Sequence, residues 1–179
     1  MKLGLLGGSF NPIHVAHVRM AEAAREALGL DRVLFIPARL PPHKLTTDLA
    51  PEADRLAMSR LAVQDVPGFE VSDVEMRRSG ASYTIDTIEA LRREFGPDAE
   101  FFFLIGSDTL AELPTWREIG RLSMLCRFVP MIRPGAPQPD AAKLAKGVGE
   151  AEACAIFGRM APMPPLDISS SDIRRRLAE

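Results

Sequence analysis

Two histidines three residues apart, His14 and His17, follow the run Gly7-Gly8-Ser9-Phe10-Asn11-Pro12 and open a stretch with helical periodicity. On the first turn of a helix this spacing sends both imidazoles from one face toward one point. That suits two donors on a polyphosphate. The same turn carries backbone N–H groups without intrahelical partners and the positive end of the helix dipole, where phosphate is welcome. Gly7 and Gly8 have no Cβ, so the backbone there can turn sharply and come close to a ligand. Pro12 presets a helix-compatible angle just ahead of the helix. An HxxH pair is also compatible with one packing histidine beside an exposed one, or with two metal ligands. Zinc would need a third or fourth ligand, and His43 is the one histidine left.

A strand must deliver this loop and a helix must carry the histidines. Residues 2–6 form a short apolar run with no helical period, as expected of a buried first strand. Residues 14–28 repeat apolar and alanine positions at helical spacing and end before Gly29, a natural stop. Further along, strand patterns at 32–37, 69–76, 100–105 and 127–132 alternate with helix patterns at 51–64, 84–95, 115–122 and 140–152, and a last helix starts at Ser171. Proline-rich pieces at 41–42, 134–139 and 162–165 read as loops.

Such alternation predicts an α/β fold: a doubly wound, Rossmann-like parallel sheet of order 3-2-1-4-5, plus a possible extra strand, with helices on both faces. In that order strands one and four are neighbours, and a crevice opens beyond their C-terminal ends. The loop with the histidines and the loop Gly106-Ser107-Asp108-Thr109 both belong there. Neither G-x-G-x-x-G nor G-x-x-x-x-G-K-[ST] occurs, which disfavours a dinucleotide fingerprint and a P-loop.

A chain of 179 residues is the size of one such domain, expected to span 1–179. Its net charge of −2 and isoelectric point near 6.0 argue against a nucleic-acid surface. Cys126 and Cys154 stand far apart with no histidine beside them, which argues against zinc and against a disulfide scaffold. A cytoplasmic protein is the simplest account, since the apolar run before Gly7 is too short for a signal peptide or a spanning helix. Oligomeric state is open.

Three more stretches could do chemistry. Pro41-Pro42-His43-Lys44 follows the second strand and would bring positive charge to the same sheet edge, or form an exposed loop. Ser82-Tyr83-Thr84 opens a helix, where Ser82 or Thr84 could serve as N-cap. Trp116, the single tryptophan, is either a packing anchor or a flat surface for a heteroaromatic ring.

The run GGSFNPIHVAH resembles the HxGH signature of the nucleotidyltransferase superfamily, with Ala16 where glycine is usual. Near the other end, Ile168-Ser169-Ser170-Ser171-Asp172-Ile173-Arg174 resembles its ISSTxIR motif, with Ser171 in place of threonine. PPHK, SYTIDTI, GSDTL, LPTW and Arg133-Pro134-Gly135 are similar to the bacterial nicotinate mononucleotide adenylyltransferases in particular. The resemblance runs from Gly4 to Leu177 and is thin from Ala136 to Pro165.

This resemblance implies an enzyme that joins ATP and nicotinate mononucleotide into deamido-NAD and pyrophosphate, in NAD biosynthesis, with Mg²⁺ bound mainly through the ATP phosphates and no metal held by protein ligands. His14, His17 and Arg174 would be catalytic. The same three would also bind ATP, together with Gly7, Gly8, Ser9 and Phe10, with Gly106 and Asp108, and with Ser169, Ser170 and Ser171. The acceptor would meet His43, Lys44, Thr84, Asp108, Trp116, Arg117 and Arg133. A phosphopantetheine adenylyltransferase, or a nucleotide-binding protein without turnover, is the alternative.

Overall fold

The computed structural model of the chain describes residues 1–42, 49–132, 140–163, 166 and 168–179. Its centre is a parallel sheet of order β3-β2-β1-β4-β5-β6. The elements run β1 (Lys2–Gly8), α1 (Val15–Leu28), β2 (Arg32–Pro37), α2 (Glu52–Val63), β3 (Phe69–Val71), α3 (Thr84–Phe95), β4 (Glu100–Gly106), α4 (Ile119–Leu125), β5 (Arg127–Ile132), α5 (Ala141–Val148), α6 (Glu150–Gly158), β6 (Ala161–Pro162) and α7 (Ser170–Leu177). The anticipated order holds, with β6 as the added edge strand.

The strands read as unbroken apolar runs because both faces of the sheet are covered. Leu3, Leu5, Leu34, Ile36, Phe101, Phe103, Ile105 and Phe128 belong to a core shared with Ile85, Ile88 and Leu91 of α3. Their neighbours Leu6, Val33, Phe35, Phe102, Leu104, Val129 and Met131 belong to a second core with Met20, Ala21 and Ala24 of α1. Successive side chains thus alternate between two helical layers, as the pleat requires.

β1 pairs with β4 on one side, Leu5 opposite Phe103, and with β2 on the other. These are the central strands, and the order reverses between β1 and β4. The C-terminal ends of β1 and β4 are therefore where a crevice must open.

Several boundaries depart from the sequence reading, each for a local reason. The third strand stops at Val71 rather than at residue 76. The Ser72 amide still bonds the Phe35 carbonyl, but Asp73 then turns the chain, its carbonyl accepting from the Arg77 amide and its carboxylate pairing with the Arg77 guanidinium at 3.0 Å. The helix expected over 115–122 is a 3₁₀ turn, Leu113–Thr115, followed by α4, because Trp116 is extended and Glu118 takes a positive φ of 53°. The helix expected over 140–152 is two helices broken at Gly149, whose φ of 88° suits glycine. At α1 the helix starts at Val15, with His14 as N-cap, and Gly29 ends it in the left-handed conformation. α7 starts one residue early, at Ser170. Pro162, read as loop, lies in β6.

No helix among the described residues is long and apolar enough to cross a membrane.

Candidate active site

Beyond the ends of β1 and β4 lies a cavity of about 450 Å³, a size suited to a small-molecule ligand. One wall is the loop after β1, with Gly7, Gly8, Ser9, Phe10 and, from α1, His17. A second wall is the end of β4 and the turn after it, with Gly106 and Asp108. The far wall has Tyr83, Thr84, Trp116 and Arg117, and Ser170 reaches in from α7.

The loop after β1 is tightly built. A Cβ at Gly8 would stand 3.0 Å from the Phe10 ring, tighter than ordinary contact, so the ring would have to give by a few tenths of an ångström. Phe10 itself is buried, takes a positive φ of 43°, and presents its ring edge-on to His17 at 5.1 Å. Asn11–Pro12 is a cis peptide bond, and Pro12 lies outside the helix, two residues ahead of its cap.

The two imidazoles meet, with ring centroids 3.9 Å apart. The His14 backbone N–H donates to Nδ1 of His17 at 3.2 Å. An accepting Nδ1 puts the ring proton of neutral His17 on Nε2, which makes that atom a donor. His17 lines the cavity, whereas His14 is stacked on it and is not part of the lining.

The far end of the chain is brought to this loop. The Ser170 hydroxyl donates to the Pro12 carbonyl at 2.9 Å, and Arg174 Nη1 donates to the Asn11 carbonyl at 2.6 Å. Nη2 of Arg174 also approaches the Ser171 hydroxyl at 3.3 Å. Ser169 caps α7: its Oγ accepts from the Asp172 amide at 3.1 Å and donates to the Asp172 carboxylate at 2.6 Å. That hydroxyl, more than the neighbouring Arg175, holds the Asp172 carboxyl below its ordinary range. Ser169 and Ser171 thus shape the helix end beside the cavity without lining it.

On the opposite wall, Trp116 is half-buried. It packs edge-on against Phe103 at 5.7 Å and Phe128 at 6.0 Å, and is also exposed to the cavity. Packing anchor and ligand surface are therefore compatible roles. The Arg117 guanidinium lies over the Tyr83 ring at 4.8 Å, which ties the Trp116 segment to the start of α3. Neither Ser82 nor Thr84 caps α3. Tyr83 occupies the N-cap position, and the Ser82 hydroxyl instead accepts from the Leu40 amide at 3.2 Å. His43, Lys44 and Arg133 lie outside the described residues.

Three buried polar residues to which the motifs assign no role also shape the site. Glu75 lines the cavity and accepts from the Thr87 hydroxyl at 2.7 Å. Burial pushes its carboxyl above the usual range, and the hydroxyls of Ser82 and Thr87 and the Arg78 charge work against that rise. Asn11 accepts through Oδ1 from the Ala50 amide at 2.9 Å. Arg55 is 1% exposed, the largest fully buried side chain among the described residues. Its position was the available signal: Arg55, Ser59 and Val63 recur at four-residue spacing on the inward face of α2.

The profile of the cytidylyltransferase-like family matches residues 5–176. A probable nicotinate-nucleotide adenylyltransferase of Thermomicrobium roseum is 45% identical over 178 residues, which cover 99% of this chain and 81% of that one. Its counterpart in Geobacter metallireducens is 46% identical, covering 98% and 86%. Among solved structures, the nicotinic acid mononucleotide adenylyltransferase of Plasmodium falciparum complexed with NaAD superposes with a TM-score of 0.75 at 22% identity, over 97% of this chain and 82% of that one. That last likeness is one of fold.

Proposed function

Since the chain belongs to the cytidylyltransferase-like family and, within it, to the nicotinate-nucleotide adenylyltransferases, we propose that it transfers the adenylyl group of ATP to nicotinate mononucleotide, releasing pyrophosphate, as one nucleotidyltransferase domain over residues 1–179. The observation that carries this reading is the docking of α7 on the loop after β1. Arg174 and Ser170 bond the carbonyls of Asn11 and Pro12 beside His17, so a cation, a hydroxyl and an imidazole from opposite chain ends share one rim.

The chemistry asks little of protein bases. A phosphate monoester has a second pKa near ~6, so the acceptor phosphate is mostly a dianion at neutral pH and attacks the α-phosphorus without losing a proton to the enzyme. The bond to the β-phosphate oxygen breaks and pyrophosphate leaves with the electron pair. What remains is to bring two anions into line and to stabilise the charge that develops. Nε2–H of His17 serves the α-phosphate, with His14 stacked against it. Arg174, with Ser170, Ser171 and the N-terminal amides of α7, serves the β- and γ-phosphates. Gly7 to Phe10 and Gly106 cradle the nucleotide. Asp108 stands between the two substrates.

On the acceptor side Trp116 stacks on the pyridine ring, and backbone amides near Thr84 and Arg117 meet its carboxylate. His43, Lys44 and Arg133 are assigned to the acceptor by the motif resemblance alone, Lys44 to its phosphate. Mg²⁺ would enter with ATP and be held mainly through the phosphate oxygens and water. When bound, the ion neutralises the charge on the polyphosphate.

The test is pyrophosphate release from ATP and Mg²⁺ with nicotinate mononucleotide, its amide and phosphopantetheine as acceptors. Turnover with the acid is expected. Turnover confined to phosphopantetheine, or ATP binding without turnover, would refute this function.

A further inference from the structure

Arg55 occupies a costly position. It lies in the first turn of α2, where the helix dipole disfavours a cation. Burial works against its charge, and Glu52 and Glu75 work in its favour. A side chain with so much rotational freedom also loses entropy when fixed. These penalties must be offset by what the guanidinium holds.

It holds four backbone carbonyls from three segments. Nη1 donates to Ser9 at 2.8 Å and to Ala38 at 2.5 Å, Nη2 to Arg39 at 3.0 Å, and Nε to Ala50 at 3.0 Å. Ser9 belongs to the cavity wall after β1, Ala38 and Arg39 lead out of β2, and Ala50 leads into α2. The Ala50 amide in turn donates to Asn11 Oδ1. The Asn11 carbonyl is the one that Arg174 grips. Residues 9–11 are therefore held from both sides, by a buried arginine through the Ser9 carbonyl and by an exposed one through the Asn11 carbonyl.

We propose that Arg55 is a positioning residue for the transfer reaction: it sets the height and tilt of residues 9–11, and through them the register between His17 and the Arg174 guanidinium. This rests on the proposed function above, in which that segment cradles ATP. Lysine cannot replace it, because a single ammonium offers three donors from one point, whereas the guanidinium spreads five across a planar fork. Loops that depend on one fork for their mutual spacing lose it together.

The experiment compares wild type, Arg55→Lys, Arg174→Lys and the double variant. It measures kcat and KM for both substrates, the Kd for ATP by calorimetry without acceptor, and melting temperature. Arg55→Lys is expected to lower kcat by about 10²-fold, the scale of an ångström of misplacement, with KM changing much less. The Arg174→Lys loss should be several-fold smaller in the Arg55→Lys background, because both side chains fix one segment.

A folded Arg55→Lys protein with kcat within about twofold of wild type overturns the proposal, as do strictly multiplicative losses at Arg55 and Arg174. If Arg55→Lys does not fold, Arg55→Gln, which keeps a planar pair of donors in place of the five-donor fork, takes its place in the same cycle and is judged by the same criterion. A wild type without turnover would count against the proposed function instead. In that case the ATP Kd still decides whether Arg55 and Arg174 act on one segment.

Discussion

Replacing Trp116 with alanine separates its two roles in magnitude and in kind. The indole makes edge-on contacts with Phe103 at 5.7 Å and Phe128 at 6.0 Å. Such aromatic pairs are worth about 0.5–1.5 kcal/mol each beyond area burial, so losing both removes about 1–3 kcal/mol in addition to the lost burial of the ring. In a chain of this length the contact loss alone corresponds to a fall in melting temperature of about 2–12 °C. Stacking a heteroaromatic ring on an indole is worth about 1–3 kcal/mol, so the acceptor KM should rise about 5- to 150-fold. The KM for ATP should stay near wild type, because the nucleotide is assigned to the opposite wall. Steady-state kinetics at 25 °C, well below the variant's melting temperature, with each substrate varied in turn, reads both constants. Trp116→Phe retains an aromatic edge toward Phe103 and Phe128 with less stacking area, and should recover most of the stability and part of the acceptor affinity. If the two KM values rise in parallel, or if melting falls while the acceptor KM is unchanged, the tryptophan serves the fold alone and the stacking assignment is wrong.

Three further outcomes are expected. His17→Ala should lower kcat by about 10²- to 10³-fold through loss of a donor to the reacting phosphate, and near-normal turnover in a folded variant would remove His17 from that role. Burial raises the Glu75 carboxyl, so native protein keeps this proton at pH values where the unfolded chain has released it, and stability falls as pH rises from the ordinary glutamate value of about 4.3 through the raised one. Melting curves of Glu75→Gln and wild type should therefore diverge in favour of the glutamine variant over that window, and a pH-independent difference would contradict the account. Cys126 is buried, with its thiol pushed up to about 12, whereas Cys154 is exposed. A chromogenic disulfide reagent at pH 8 should titrate one thiol quickly in native protein and the second only after denaturation; rapid reaction of both would show that the Leu122–Cys126 region opens readily.

How much could be read in advance differs from residue to residue, and the reason is the range of the interaction concerned. Gly7 and Gly8 before an HxxH helix, the stop at Gly29, and apolar runs that alternate with helical periods are local patterns. Each follows from backbone sterics or hydrophobic period within a few residues, and together they specify the parallel sheet and the place of its crevice. Where a short-range rule met a long-range contact it gave way. The pattern over 115–122 reads as one helix, yet Trp116 leaves the helical conformation and packs its ring against both Phe103 and Phe128. Ser82 and Thr84 looked like caps, yet the Ser82 hydroxyl turns to the Leu40 amide on another loop.

The amino-acid sequence alone thus determined the family, the sheet order and the two motifs, because all three rest on residue type and local spacing. Tertiary structure decided how those motifs meet. Arg174 reaches the Asn11 carbonyl only because the order reversal between β1 and β4 opens the rim on which α7 lands. Arg55 becomes a buried clamp only because α2 turns its inward face onto carbonyls from three separate segments. No periodicity encodes such contacts: a charge on a surface-like helix is buried when distant backbone carbonyls converge to replace its water.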